Sequence, residues 1–290
     1  MRRPTPRWSY RLGERVHDLT DRALVMGVLN RTPDSFFDNG ATYALDALLT
    51  RADALVREGA DVLDVGGVKA GPGPEVTEAE ELDRVVPAIQ AVRVRLDVPV
   101  SVDTWRAAVF DEACRAGAVV GNDISGFADP DYLSVAKRHD ASVVATHIRL
   151  QPRVPDPDPH YDDLVGDVRS FLLDRAGRAE AAGLRPEQIA LDAGLDLGKT
   201  PAMSAVLLRA SDMLAAGGYT LLLSASNKGF LGALLGLDVD DRGEASLAAV
   251  AYGVAHGCRM VRVHEVARCV QVCRVIEAIL GATRERERAT

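Results

Sequence analysis

The sequence predicts an α/β protein: a (β/α)8 TIM barrel in a single domain with a short N-terminal extension. Three observations predict it. Short apolar runs rich in Val, Leu and Ile recur along the chain. Alanine-rich amphipathic segments separate them, the alternation expected of parallel strands covered by helices. Polar residues close nearly every run, and in a barrel such positions converge on one mouth. An open doubly wound sheet is the competing architecture, but it would spread those residues along an edge.

The runs, in order, are "ALVMGVLN" (23–30), "DVLDVGG" (61–67), "VPVSVDT" (98–104) and "AVVGNDI" (118–124). "SVVATHI" (142–148), "QIALDAG" (188–194), "TLLLSAS" (220–226) and "RMVRVHE" (259–265) follow. Each is short and largely apolar, as a strand buried on both faces should be. The intervening helices are clearest in "YALDALLTRADALVREGA", "AAVFDEACRAGA", "DVRSFLLDRAGRAEAAGL" and "CVQVCRVIEAILGA". Residues 1–22 read as an extension packed against the barrel floor, 23–282 as the barrel and 283–290 as a charged helical tail.

Composition narrows the function. The chain has 290 residues, 47% of them hydrophobic, enough for one large core. Its formal net charge of −8 argues against a general nucleic-acid binder, which needs a basic face. The four cysteines are too few for a disulfide scaffold. No apolar stretch approaches the roughly 20 residues of a membrane span. The basic start "MRRPTPRWSYRLG" lacks the apolar segment of a secretory signal, so a cytoplasmic protein is expected.

The strand ends supply the candidate site. Asp103, Asn122 and Asp192 offer two carboxylates and an amide, and Lys228 adds an ammonium. Together they match the edge of a flat heterocycle such as a pterin, with its N–H donors and carbonyl. Any one acid reads as well as a helix cap; the set, all at strand ends, points to a site. Arg262 and His264 lie two apart on one strand and share a face, a pair suited to phosphate. Asn30 can give an oxygen to a hard cation such as Mg2+. Cys269 and Cys273, four apart on a helix, read as core packing. "DAGLDLGKT" lacks phosphate-loop spacing; His17, His139 and His256 read as surface or packing residues, and His160, in the proline-rich loop, offers no evident partner in the sequence.

These motifs resemble the dihydropteroate synthases over residues 23–280. "GVLNRTPDSFFDNG" is close to the family's N-V-T-P-D-S-F-S-D-G-G. "DVGG" with "PG" after it, "SVDT", "NDISG", "DAG…GKT", "SNK" and "RVHEV" follow in the family's order. The resemblance implies condensation of a dihydropterin hydroxymethyl pyrophosphate with p-aminobenzoate. It implies a pterin pocket of Asp103, Asn122, Asp192 and Lys228, with Asn30 on Mg2+ and Asn30, Arg262 and His264 on the pyrophosphate. Of these, Asn30, Lys228, Arg262 and His264 would serve catalysis. The loops after the first two strands, Thr32 to Phe36 and Val68 to Gly73, would cover the second substrate. A homodimer is implied, as is a pocket open to sulfonamide and sulfone mimics of p-aminobenzoate.

The second loop departs from the pattern. The family reads E-S-T-R-P-G after "DVGG"; this chain reads V-K-A-G-P-G. Val68, Lys69, Ala70 and Gly71 thus stand for a glutamate, a serine, a threonine and an arginine. Arg31 replaces a small apolar residue, Asn227 an arginine, Ala193 a proline, Asp196 a glycine and Ile148 a methionine. Synthase activity is therefore expected to be weak or lost. The alternatives are a full synthase with a rebuilt loop, a noncatalytic pterin or heterocycle binder, and a methyltetrahydrofolate methyltransferase-like barrel, which the "TPDSF" and "RVH" motifs disfavour.

Overall fold

The computed structural model describes residues 8–32 and 44–289, with side chains to residue 281. It opens with an antiparallel hairpin of β1 (Ser9–Leu12) and β2 (Arg15–Asp18), turned at Gly13 with φ +62°. The apolar runs then become β3 (Leu24–Asn30), β4 (Val62–Gly66), β5 (Val100–Asp103), β6 (Val120–Asp123), β7 (Ser142–Thr146), β8 (Ile189–Asp192), β9 (Thr220–Leu223) and β10 (Cys258–Val263). These eight close into a parallel barrel in chain order, with β10 pairing back onto β3. The open-sheet alternative is excluded by that closure.

Between them run α1 (Leu45–Arg57), α2 (Glu78–Arg95), α3 (Ala107–Ala116), α4 (Tyr132–Arg138), α5 (Leu164–Ala181), α6 (Pro201–Arg209), α7 (Ser211–Ala215), α8 (Gly229–Leu235) and α9 (Gly243–Ala255), with α10 (Val266–Ala289) last. Local chemistry sets several starts. Thr77 Oγ1 accepts from the Glu80 N–H, Asp163 from Gly166, and Thr200 from Met203 with Pro201 in the first helical position. No helix among the described residues is long and apolar enough to cross a membrane.

The period-2 alternation of the strands divides the core in two. Val25, Leu63, Val65, Val100, Val102, Val143, Leu191 and Val261 face outward and pack under the helices. Leu24, Met26, Val62, Val120, Val144, Ala190, Leu222 and Met260 face the lumen, joined by Tyr10, Leu12 and Leu19. The hairpin lies across the N-terminal strand ends: Ser142 Oγ donates to Arg11 O at 2.7 Å and Thr220 Oγ1 to Ser9 O at 3.2 Å. Each such apolar side chain contributes roughly 1.5–3 kcal/mol through burial. Two residues further along the same strand faces, the lumen turns polar: Asp64, Ser101, Asp103, Asn122, Thr146, Asp192 and Arg262 succeed the apolar floor. The alternation that closes the core therefore also aims the candidate residues at the mouth.

Candidate functional site at the barrel mouth

Arg262 is the centre of the mouth. Its Nε donates to Asp64 Oδ2 at 2.6 Å and its Nη2 to Asp103 Oδ2 at 2.8 Å. Asn122 Nδ2 donates to the same Asp64 oxygen at 3.0 Å. Thus Asp103, Asn122 and Arg262, which the sequence assigned to two different subsites, form one network. Its keystone is Asp64, a residue visible at a strand end but absent from the sequence-based set. The usable signal was its place on the lumen face, two residues beyond Val62. Asp64 is fully buried, and its Oδ1 has no hydrogen-bond partner. Ser101, its register partner on β5, also has a buried hydroxyl without one.

Burial pushes the Asp103 carboxyl up to about 7, despite the lowering effect of Arg262, with Asp64 and Glu81 adding to the rise. Burial also raises Asp192, against the pull of the Gly194 N–H and the nearby cations. Asp192 Oδ1 accepts that N–H at 2.8 Å. Gly194 cannot be replaced there: its φ is +64°, and a Cβ would lie 2.0 Å from His147 O.

Lys228 precedes α8 and donates to Leu195 O at 3.1 Å. Burial lowers its ammonium, while Asp196 and Asp192 oppose that. A second lysine, Lys199 of the "GKT" motif, holds the same loop. Its Nζ lies 2.9 Å from His147 Nδ1 and donates to His147 O at 3.2 Å and Leu197 O at 2.8 Å. Burial brings Lys199 down to about 7 and His147 to about 3, with Lys199 adding to the fall at His147. Sequence reading gave Lys199 no role, because burial opposite a histidine leaves no local signature.

Asp196 takes a left-handed conformation, φ +67°, where the family pattern has glycine. Its carboxylate offsets that strain by accepting from the Phe230 N–H at 3.2 Å, in the first turn of α8. Asn227 is also left-handed, φ +56°, and turns inward, where its Oδ1 accepts from Ser246 Oγ at 3.3 Å. His264 Nδ1 lies 3.0 Å from Ser226 Oγ, and its carbonyl accepts from Arg51 at 2.5 Å.

Asn30 ends β3 opposite Gly66, close enough that a Cβ on Gly66 would lie 2.9 Å from Asn30 Oδ1 and 3.7 Å from Asp103 Oδ2. Two oxygens thus flank one spot at the mouth. Mg2+ takes oxygen ligands, often only one or two from protein with phosphate and water completing the shell, and Asn30 Oδ1 fits that pattern. Among the described residues no group of three or more His, Cys, Asp or Glu could hold a metal by itself.

The first covering loop falls mostly outside the described residues: of Thr32 to Phe36, only Thr32 is described, and it is buried. Arg31 donates to Asp83 O at 3.2 Å and Arg84 O at 2.9 Å, which holds it on α2. In the second loop Val68 is buried, and Lys69, Ala70 and Gly71 are half-buried. Gly71 has nothing within 4 Å of where a Cβ would stand. Ala70, Gly71 and Pro72 wall a cavity of about 230 Å³ with Arg153, Leu197 and Lys199.

The family model for "Pterin binding enzyme" matches residues 26–264. The dihydropteroate synthase of Synechocystis sp. is 40% identical over 271 residues, covering 92% of this chain and 94% of the relative. Inactive dihydropteroate synthase 2 of Mycobacterium leprae is 42% identical over 267 residues, covering 90% of this chain and 92% of the relative. The structure of Yersinia pestis dihydropteroate synthase with a sulfonamide drug complex aligns with a TM-score of 0.90 at 37% identity, covering 94% of this chain and 99% of that one.

Proposed function

Because the chain belongs to the pterin-binding enzyme family, we propose that it binds a dihydropterin in the barrel mouth but has weak or lost synthase turnover. The reaction in question condenses dihydropterin hydroxymethyl pyrophosphate with p-aminobenzoate. One observation carries this reading: the lumen set is intact, while Gly71 leaves open space where the family pattern has an arginine. Relatives of similar identity include both a synthase and a protein named inactive, so overall similarity favours neither outcome.

In this reading Asp103, Asn122 and Asp192 meet the donor and acceptor edge of the pterin, and Lys228 meets its carbonyl side. Asp64 keeps Asn122 and Arg262 in register beneath it. Synthesis breaks the C–O bond to pyrophosphate while the arylamine nitrogen bonds to that carbon and then loses its proton. The departing oxygen takes the electron pair, so donors around it decide the barrier. Arg262 and His264 would supply donors, and Asn30 would hold Mg2+, which when bound draws charge from the phosphate oxygens. Removing one such donor typically costs about 10²–10³ in rate. Each such donor that no other part of the chain replaces lowers turnover by about that factor, and the loop itself supplies neither an arginine nor a threonine hydroxyl.

A homodimer belongs to this reading. It is supported by an apolar groove of about 460 Å³ between α6, α8 and α9, where Leu234 is 51% and Leu235 61% exposed. Sedimentation of the purified protein checks that point.

The functional test is dihydropteroate formation with Mg2+, pterin pyrophosphate and concentrated p-aminobenzoate, using Lys228→Ala to measure contaminating host enzyme. Product no higher than in that control, with micromolar pterin binding by calorimetry, is the expected result. Product at ordinary synthase rates overturns the loss of turnover, and absence of pterin binding overturns the site.

A further inference from the structure

The proline-rich segment 149–163, between β7 and α5, brings an arginine onto the second loop. Arg153 Nη1 donates to Lys69 O at 3.4 Å, and Nη2 donates to Pro74 O. These two carbonyls lie on either side of Gly71, so one guanidinium brackets the altered stretch. Its Nη2 lies 3.2 Å from where a Cβ on Gly73 would stand. Arg153 also holds a left-handed backbone, φ +67°, which costs a non-glycine residue about 1–3 kcal/mol. Strain of that size persists only where surrounding contacts impose it, and here the side chain reaches the carbonyls of the second loop.

The same side chain lines two cavities. One is the 230 Å³ space walled by Gly71, Leu197, Lys199 and two acids, Asp156 and Asp196, the second of which accepts from the Phe230 N–H. The other, of about 360 Å³, lies between the second loop and α2, next to Lys69, Arg84 and the acids Glu75 and Glu80, the latter paired with Arg84. A guanidinium has five N–H donors, and the two contacts to loop carbonyls leave three for a ligand. Asp156, which shares the first cavity, is paired with Arg149, whose Nε donates to it at 2.6 Å. Arg153 is therefore a cationic donor set at the loop whose own arginine position is a glycine.

We infer that Arg153 has taken over the role of the second loop's arginine and binds an oxyanion, carboxylate or pyrophosphate, in the cavity between that loop and segment 149–163. The inference rests on the proposed pterin site only in that the oxyanion belongs to a ligand lying beside it. Planar, forked donors suit either anion. Delivery from another loop differs from the family pattern in one respect. The arginine comes from segment 149–163 and is held against the second loop by the Lys69 and Pro74 carbonyls, so it ties the two segments together beside the anion.

The test is calorimetric titration of inorganic pyrophosphate and of p-aminobenzoate, each with and without a hydroxymethylpterin. The proteins are the wild type, Arg153→Gln, Arg153→Lys, and Arg153→Gln combined with Gly71→Arg. The expected result is at least tenfold weaker binding of one anion in Arg153→Gln, with pterin affinity unchanged within twofold. Lysine should recover part of the loss, and Gly71→Arg should restore it from the loop's own position. Weakened p-aminobenzoate assigns Arg153 to a carboxylate; weakened pyrophosphate assigns it to the leaving group. The inference is overturned if the wild type binds neither anion, if Arg153→Gln weakens neither, or if Gly71→Arg fails to rescue. Failure of the pterin alone to bind overturns the pterin reading, while the titrations without pterin still decide for or against Arg153.

Discussion

Arg262 and Asp64 lie on β10 and β4, 198 positions apart in the chain, and meet with Nε 2.6 Å from Oδ2. Only closure of the barrel through β3 brings these strands within reach. Asp103 completes the clasp from β5. Arg262→Met would leave two buried carboxylates without their cation. A loss of about 3–5 kcal/mol is expected, as for other broken buried pairs, readable in urea denaturation. Asp64→Asn on the Arg262→Met background should recover part of it. An equal or larger loss in the double variant would show that the two residues are not coupled.

Asp103 makes stability depend on pH. It titrates near 7 in the fold and near 3.9 when unfolded, by the ordinary aspartate value. Between those values the folded chain keeps a proton that the unfolded chain has released. Its contribution is thus full below about pH 4 and falls as pH rises through 7, by at most about 1.4 kcal/mol per unit. Asp103→Asn should remove that slope. Denaturation at pH 5 and pH 8 checks it, and parallel wild-type and variant profiles would refute it.

Asp196 offers a test of how a non-glycine residue is tolerated at φ +67°. Asp196→Ala keeps the strain and loses the acceptor for the Phe230 N–H, so a cost of about 1–2 kcal/mol is expected. Asp196→Gly loses the acceptor but relieves the strain, and should cost less. Thermal melting should rank the wild type first, glycine second and alanine last.

The second loop can be returned toward the family pattern without crowding. Ala70 is half-buried, and Gly71 has open space at its Cβ position. Ala70→Thr with Gly71→Arg should raise dihydropteroate formation by on the order of 10², the worth of one transition-state donor. No gain would place the deficit elsewhere, with Asn227 the next residue to replace by arginine.

Much of the molecule could be read before folding was considered. The eight runs and the helices between them follow from periodicity, because a strand buried on both faces must be apolar throughout. The closing residues Asn30, Asp103, Asn122, Asp192, Arg262 and His264 were legible because polar groups at strand ends have few structural uses. The hairpin β1–β2 was less legible: "SYRLGERVHD" is short and mixed in polarity, and its packing partner is the remote strand floor. Asp64, Lys199 and Arg153 were missed for a common reason. Each acts through a partner 52 or more positions away, on Arg262, His147 and Lys69 respectively.

The sequence by itself determined the barrel, the family resemblance and the V-K-A-G stretch that departs from the family's pattern in the second loop. Local pattern suffices for those, since hydrophobic period and motif spacing are properties of neighbouring residues. Only the tertiary structure decided that Arg262 is clasped by Asp64 and Asp103, and that Asn227 turns inward to Ser246. It alone brought Arg153 onto the carbonyls of the second loop. Those are contacts between distant segments, whose geometry is set when the barrel closes and the loops pack over it.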